Sequence, residues 1–237
     1  MPSTPRPIPS GDTPRLALVT GANRGLGRAV SARLLDLGYD VAVAARNGTQ
    51  ARRAAAELGG RSFGLQIDVT EPADVDRAVD VLGRVDILIN NAGVLLAEDT
   101  RPSVVPLDLV GRELAINAIG AWRMSQACLP GMLRRGWGRI VMVSSGTGSF
   151  SNGLFTGAPG YAVSKTALNA ITLLLATETR DRGVLVNAVN PGLVRTRMRP
   201  DAARSPEAAA DDVVWAATLP DTGPTGAFFR GCQLISW

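Results

Sequence analysis

Short, wholly apolar runs alternate along this chain with longer stretches in which apolar residues recur every three or four positions. Runs of that length are buried strands, and the longer stretches carry helical periodicity. Leu16 to Val19 predicts a first strand, followed by a glycine-rich turn and a helix from about Leu26 to Leu37. Val41 to Ala45 predicts a second strand, Gln50 to Leu58 a helix, and Phe63 to Ile67 a third strand. Pro72 suits a first helical turn and opens a helix reaching about Leu82. A fourth strand is predicted over Val85 to Asn90, one long helix over Leu107 to Arg135, and a fifth strand over Ile140 to Val143. A helix over Tyr161 to Arg182 leads to a sixth strand over Val184 to Val189. Ser205, Pro206 and Glu207 form an N-cap, a first-turn proline and a first-turn acid for a helix to Thr218. A short last strand is predicted near Gln233 to Ile235.

Strands that are apolar throughout are buried on both faces, and their alternation with helices is the pattern of a parallel sheet covered on both sides. The chain therefore reads as an α/β protein, one doubly wound parallel β-sheet of the Rossmann type. With no internal repeat and no linker, residues 15–237 form a single domain. The segment before it, Met1 to Pro14, holds five prolines and one large apolar residue, Ile8. It lacks the apolar run of a signal peptide and reads as a disordered tail.

Composition narrows the chemistry. No apolar stretch approaches the roughly 18 residues of a membrane span, so no membrane partner is expected. Cys128 and Cys232 form no motif, which fits a reduced, cytoplasmic protein. The net charge is +4, but its basic residues are scattered, with runs no longer than pairs such as Arg52-Arg53. Nucleic-acid binders gather such charge into a stripe, so no nucleic-acid partner is expected. There is no histidine, which removes the Ser-His-Asp triad and every His-ligated metal, and no metal site is expected. Of 25 basic side chains only Lys165 is a lysine. Arginine does not give up its proton near neutrality and lysine can. Proton chemistry would thus fall to carboxylates, Tyr39, Tyr161 and Lys165.

Ligands of open parallel sheets bind outside the carboxyl ends of the strands. After the first strand come Thr20-Gly21-Ala22-Asn23-Arg24-Gly25-Leu26-Gly27. Glycines in that setting allow a tight turn and let backbone and a helix N-terminus approach a diphosphate. The second strand ends at Arg46 with no carboxylate beside it, since Asp40 lies at its other end. Arg46 and Arg24 together favour NADP(H) over NAD(H), because two guanidinium groups suit a 2′-phosphate. The third strand ends in Asp68 and Val69, a carboxylate and a backbone N–H suited to an adenine edge. The fourth ends in Asn90 followed by Asn91, Ala92 and Gly93, small enough to run beside a ribose or to make a plain turn. Asn117 interrupts an apolar stripe of Val110, Leu114, Ala121, Met124 and Cys128, either as a satisfied core amide or as a functional one. The fifth strand ends in Ser144-Ser145, and Tyr161 and Lys165 lie four apart on one helix face.

These residues, in this order, resemble the classical short-chain dehydrogenase/reductase family. The matching motifs are Thr20-Gly21-x-x-x-Gly25-x-Gly27, Asn90-Asn91-Ala92-Gly93, Asn117, Ser145, Tyr161-x-x-x-Lys165, and Pro191-Gly192 with Thr196. The tail from Gly226 to Trp237 is similar to carbonyl-reductase-like members. The resemblance implies hydride transfer between a nicotinamide and a small-molecule carbonyl or alcohol. It makes Tyr161 the general acid or base, with its pKa drawn down toward about 7 by Lys165 and the nicotinamide charge. It puts Ser145, the second serine, on the substrate oxygen, Asn117 on a water linking Lys165 to solvent, and Pro191, Gly192, Val194 and Thr196 at the carboxamide. A non-redox member of the family, a cyclase or a cofactor sensor, would be expected to lack one of Ser145, Tyr161 and Lys165. The Ser145–Tyr161 segment is longer than in most of the family and rich in glycine, and is expected to border the substrate. The run Ala170 to Ala176 is apolar nearly all round its helix, which with the resemblance points to a homodimer or homotetramer.

Overall fold

The computed structural model describes residues 14–151 and 153–237, so the predicted tail lies, Pro14 apart, outside the described residues. Its strands are β1 (Leu16–Val19), β2 (Asp40–Ala45), β3 (Ser62–Gln66), β4 (Ile87–Asn90), β5 (Gly138–Val143), β6 (Val184–Val189), β7 (Phe228–Arg230) and β8 (Gln233–Ile235). They form one sheet in the order β3-β2-β1-β4-β5-β6-β7-β8. All neighbours are parallel except β7 and β8. The order reverses between β1 and β4, the switch point where a doubly wound sheet opens a crevice at its carboxyl edge.

Successive residues of a strand point to opposite faces, and the core divides accordingly. Leu18, Leu88, Ile140, Met142 and Val186 face α3 (Pro72–Leu82), α5 (Ala121–Arg135) and α6 (Pro159–Glu178). Ala17, Val19, Ile87, Ile89 and Val141 face α1 (Gly25–Asp36), α2 (Gly48–Leu58) and α7 (Pro206–Ala217). Each fully buried Leu or Ile contributes about 1.5–3 kcal/mol, so this double coverage is what holds the sheet.

Three departures from the pattern have local causes. The long helix expected over Leu107 to Arg135 is α4 (Leu107–Leu114), a π-helical turn over Ala115–Gly120, and α5. Helix α6 stops at Glu178 rather than Arg182. Asp181 takes a φ of 60°, and Gly183 (φ 77°) comes so close to the Gly136 carbonyl that no Cβ would fit. Strand β7 was not expected, and the last strand runs antiparallel to it. Their hairpin turns on Gly231 and Cys232, both at positive φ as a two-residue hairpin requires, but Gly-Cys is not the residue pair that signals one. The Ser205 cap is as expected, its side chain accepting from Ala208 N.

Candidate active site

The turn between β1 and α1 is built by glycines for distinct reasons. Gly21 and Gly25 take φ of 62° and 54°, which side chains disfavour. Gly27 is a matter of approach: a Cβ there would lie 2.4 Å from Asn91 Nδ2. That amide donates to Thr20 O at 2.8 Å and Gly21 O at 3.2 Å, while Thr20 Oγ1 accepts from Asn91 N and Ala92 N, both at 3.0 Å. The turns after β1 and β4 are thus laced together across the switch point. Arg24, at the N-cap of α1, is extended and offers no side-chain cap, so the first-turn N–H groups of the helix are left to a ligand. Asn90, by contrast, points into the core and donates to Ser125 Oγ at 3.0 Å.

A cavity of about 1030 Å³ extends from this turn along the carboxyl edge. Gly21, Asn23, Arg24, Gly25, Leu26, Gly27, Arg46, Asp68, Val69, Asn91, Ala92 and Gly93 all line it. At its outer end Arg24 and Arg46 are exposed, and no carboxylate among the described residues pairs with either. Asp68 Oδ1 accepts from Thr70 N and Thr70 Oγ1, which leaves its other oxygen for a ligand. The sequence reading missed Asn47 and Gln50, which also line this end. Asn47 caps α2 by accepting from Gln50 N at 3.0 Å, and Gln50 Oε1 accepts from Asn23 Nδ2 at 2.8 Å, so the glycine turn is tied to α2. An Asn ahead of a helical stretch was the available signal. A cradle of glycines, open helix N–H groups and two unpaired guanidinium groups fits a phosphorylated dinucleotide.

The other end of the cavity holds Ser145, Tyr161 and Lys165. The two serines after β5 part company: Ser144 donates to Asn169 Oδ1 at 2.5 Å inside the fold, whereas Ser145 lines the cavity beside Tyr161. Ser145 Oγ also accepts from Thr147 N at 3.2 Å. Lys165 is 4% exposed, its Nζ donates to Val143 O at 2.8 Å and lies 5.5 Å from the Tyr161 ring centre. Burial pushes the Tyr161 hydroxyl up to about 12, against the Ser145 hydrogen bond, with Glu113 adding to the rise and Arg199 opposing it. Burial likewise brings Lys165 down to about 8. The lowering expected for Tyr161 is therefore not supplied by the protein's own groups, because desolvation of the phenolate outweighs them.

Asn117 does not line the cavity. It accepts from Val94 N at 2.8 Å and donates to Val94 O and Ser164 Oγ, both at 2.9 Å. Its side chain braces the Gly93–Val94 wall and makes no direct bond to Lys165. Glu113, one turn earlier, was missed altogether. It accepts from Leu96 N at 2.7 Å and is fully buried, while Val110 and Leu114 of the expected stripe are only half-buried. Glu113 lies three residues after Val110 and four before Asn117, so it shares the face of that stripe, and Val110 and Glu113 both pack against Gly160 of α6.

The segment after β6 closes the cavity. Pro191, Gly192, Val194 and Thr196 line it, as do Leu193, Met198 and Arg199. Asn190 Oδ1 accepts from Gly192 N at 3.0 Å and Arg204 donates to Pro191 O at 2.8 Å, which fix the segment at both ends. Arg199 pairs with Glu98 of the segment after β4, spanning the cavity mouth. From the third wall Phe155 enters, carried by the glycine-rich segment before Tyr161.

Fold and site together define a nicotinamide-dependent oxidoreductase. The family model for short chain dehydrogenases matches residues 15–207, and the chain belongs to that family. Among curated relatives it is 34% identical over 192 residues to 3-oxoacyl-(acyl-carrier-protein) reductase FabG of Escherichia coli K12, covering 78% of this chain and 75% of that protein. It is 37% identical over 200 residues to the oxidoreductase UcpA of Salmonella typhimurium, covering 81% of this chain and 74% of that protein. No helix among the described residues is long and apolar enough to cross a membrane.

Proposed function

We propose that this chain is an NADP(H)-dependent oxidoreductase that interconverts a ketone or aldehyde and the matching alcohol, with Tyr161 exchanging the proton. The observation that carries this reading is the convergence of Ser145, Tyr161 and Lys165 on one end of a cavity whose other end is the Gly21–Gly27 cradle. The names of two relatives, a 3-oxoacyl reductase and an oxidoreductase, support it.

When bound, the nicotinamide supplies or accepts the hydride at the carbonyl carbon. The first-turn N–H groups of α1 would hold the diphosphate, Arg24 and Arg46 the 2′-phosphate, and Asp68 with Val69 N–H the adenine. Asn91, Ala92 and Gly93 would hold the ribose, and Pro191, Gly192, Val194 and Thr196 the carboxamide. In reduction the carbonyl oxygen gains charge. The Ser145 hydroxyl donates to that oxygen, and Tyr161 passes its O–H proton to it. The Lys165 ammonium, tethered to the Val143 carbonyl, keeps further N–H donors for the ribose and steadies the phenolate left behind. Phe155, Leu193 and Met198 give the substrate wall an apolar character that suits a carbonyl with apolar substituents. The exposed apolar face of α6 supports assembly as a homodimer or homotetramer.

Tyr161→Phe should leave NADPH binding nearly intact and cut turnover by about 10²–10⁴. Turnover comparable to the parent would overturn the assignment. Arg46→Asp should weaken NADPH far more than NADH in paired titrations; equal weakening would remove the case for NADP(H).

A further inference from the structure

The residues after β8 reach back to the wall that Phe155 forms. Trp237 stands two residues beyond Ile235, which pairs with Phe228 in the β7–β8 hairpin, so Trp237 and Phe228 share a face of the sheet. Their rings stack, with centroids 5.1 Å apart and planes 12° from parallel, and Phe228 is fully buried. Stacking on a core ring fixes where the Trp237 backbone lies. Its carbonyl accepts from Ser151 N–H at 2.9 Å. The Ser236 carbonyl is within hydrogen-bond distance of two hydroxyls, Ser149 Oγ at 3.2 Å and Ser151 Oγ at 3.3 Å, which are 2.9 Å from each other. Ser149 and Ser151 lie in the chain between Ser145 and Phe155, both of which line the cavity.

A second anchor comes from α6. Gly148 O accepts from Thr166 Oγ1 at 3.0 Å and from Asn169 Nδ2 at 3.3 Å, and a Cβ on Gly148 would lie 2.6 Å from Thr166 N. Phe155 N–H donates back to Thr147 O at 3.3 Å, which closes a loop between these two residues. The Phe155 ring folds onto Gly157, where a Cβ would be 2.7 Å from its Cζ. Phe155 is 47% exposed and stands outside the core. Backbone anchors, not core packing, therefore decide where its ring meets the cavity.

We propose that Trp237 is a positioning residue for the substrate wall: by holding Ser151 and its neighbour Ser149 in place it fixes Phe155, and with it a preference for carbonyls that bear a large apolar substituent. This rests on the reaction end of the cavity binding a carbonyl substrate. Trp237 does not itself line the cavity, so it acts through the wall. A flat ring on a fixed backbone offers broad apolar contact to an aryl group and little to a methyl group, and that contact is lost when the wall shifts.

Trp237→Ala should lower the ratio of kcat/KM for acetophenone over acetone by about tenfold and leave the Kd of NADPH unchanged. A mere loss of active enzyme would slow both ketones alike and leave the ratio where it was. Trp237→Phe, which keeps a ring on Phe228, should restore most of the ratio. Phe155→Ala should lower the ratio by itself, and adding Trp237→Ala to it should lower it no further, because both act through one contact. Amide hydrogen exchange reads the wall without turnover: the Ser151 and Phe155 N–H groups should exchange about tenfold faster in Trp237→Ala, with Asn91 N–H unchanged. Should Trp237→Ala not fold, Ser151→Ala, which removes a hydroxyl from the same contact, should move the ratio in the same direction. An unmoved ratio or unmoved exchange in a folded variant would overturn the proposal. Ketone turnover surviving Tyr161→Phe would instead overturn the reading beneath it, and the exchange comparison would still decide whether Trp237 holds the wall.

Discussion

Lys165 sits where it opposes folding. Burial lowers its pKa from 10.5 to about 8, so the folded chain binds that proton less readily than the unfolded one. The penalty is present in full below pH 8 and is relieved as pH rises through the window from about 8 to 10.5. The shift corresponds to about 3 kcal/mol, from which a lost hydrogen bond to Val143 O takes about 1. Lys165→Met should therefore abolish turnover and yet melt higher at pH 7, by about 2 kcal/mol of stability, an advantage that fades above pH 10. Thermal melts of both proteins across pH check this, and a lower melting temperature at pH 7 would contradict it. The placement of Lys165 was legible from sequence because no other lysine exists and its spacing from Tyr161 fixes a shared face. Its tether to Val143 O, and the rise rather than fall of the Tyr161 pKa, were not legible. Both depend on how deeply the pair is buried, which spacing does not reveal.

At the scale of elements, the break in the helix between α4 and α5 decides what Asn117 does. The sequence reading left a core amide and a functional amide open, and an uninterrupted helix was the frame for both. The π turn instead brings Asn117 onto the backbone of Val94, which it both accepts from and donates to. Asn117→Ala would leave the half-buried Val94 N–H and C=O and the buried Ser164 hydroxyl without this partner, and should lower stability by about 2 kcal/mol, read by urea melts. A side chain that merely held a water would change stability little, so the measurement separates the two roles. Glu113 escaped notice for a different reason. Charged residues on a helix are ordinarily read as solvated, even one that, like Glu113, stands three residues after Val110 and four before Asn117 on the inward face. The strands of the parallel sheet, by contrast, were legible because apolar runs buried on both faces look the same in any topology of this class. The last strand was legible too, at Gln233 to Ile235, but its antiparallel pairing and its partner β7 were not, since a three-residue strand has too little pattern to stand out from a loop.

For the whole molecule, the sheet accounts for only one side of α6. Leu168, Ile171 and Leu175 pack into the core, while Val163 is 45% exposed, Leu173 40% and Leu174 60%. Val163, Ala167, Ala170 and Leu174 follow a four-three-four spacing and form one outward stripe, with Ile119 of the adjoining π turn also exposed. Single exposed apolar residues are ordinary, but a stripe along a helix is a surface that a second copy of the chain can cover. The same helix carries Tyr161 and Lys165 on its first turns, so a partner packed along the stripe would stiffen the element that holds the proton donor. Leu174→Arg, placing a charge in the middle of that contact, should convert the assembly to a monomer in light scattering at micromolar concentration. Turnover should fall with the loss of the assembly, and should recover at concentrations high enough to restore it. A parent protein that is already monomeric under those conditions would rule out this arrangement and leave α6 held by its packing on the sheet, on α4 and on the π turn.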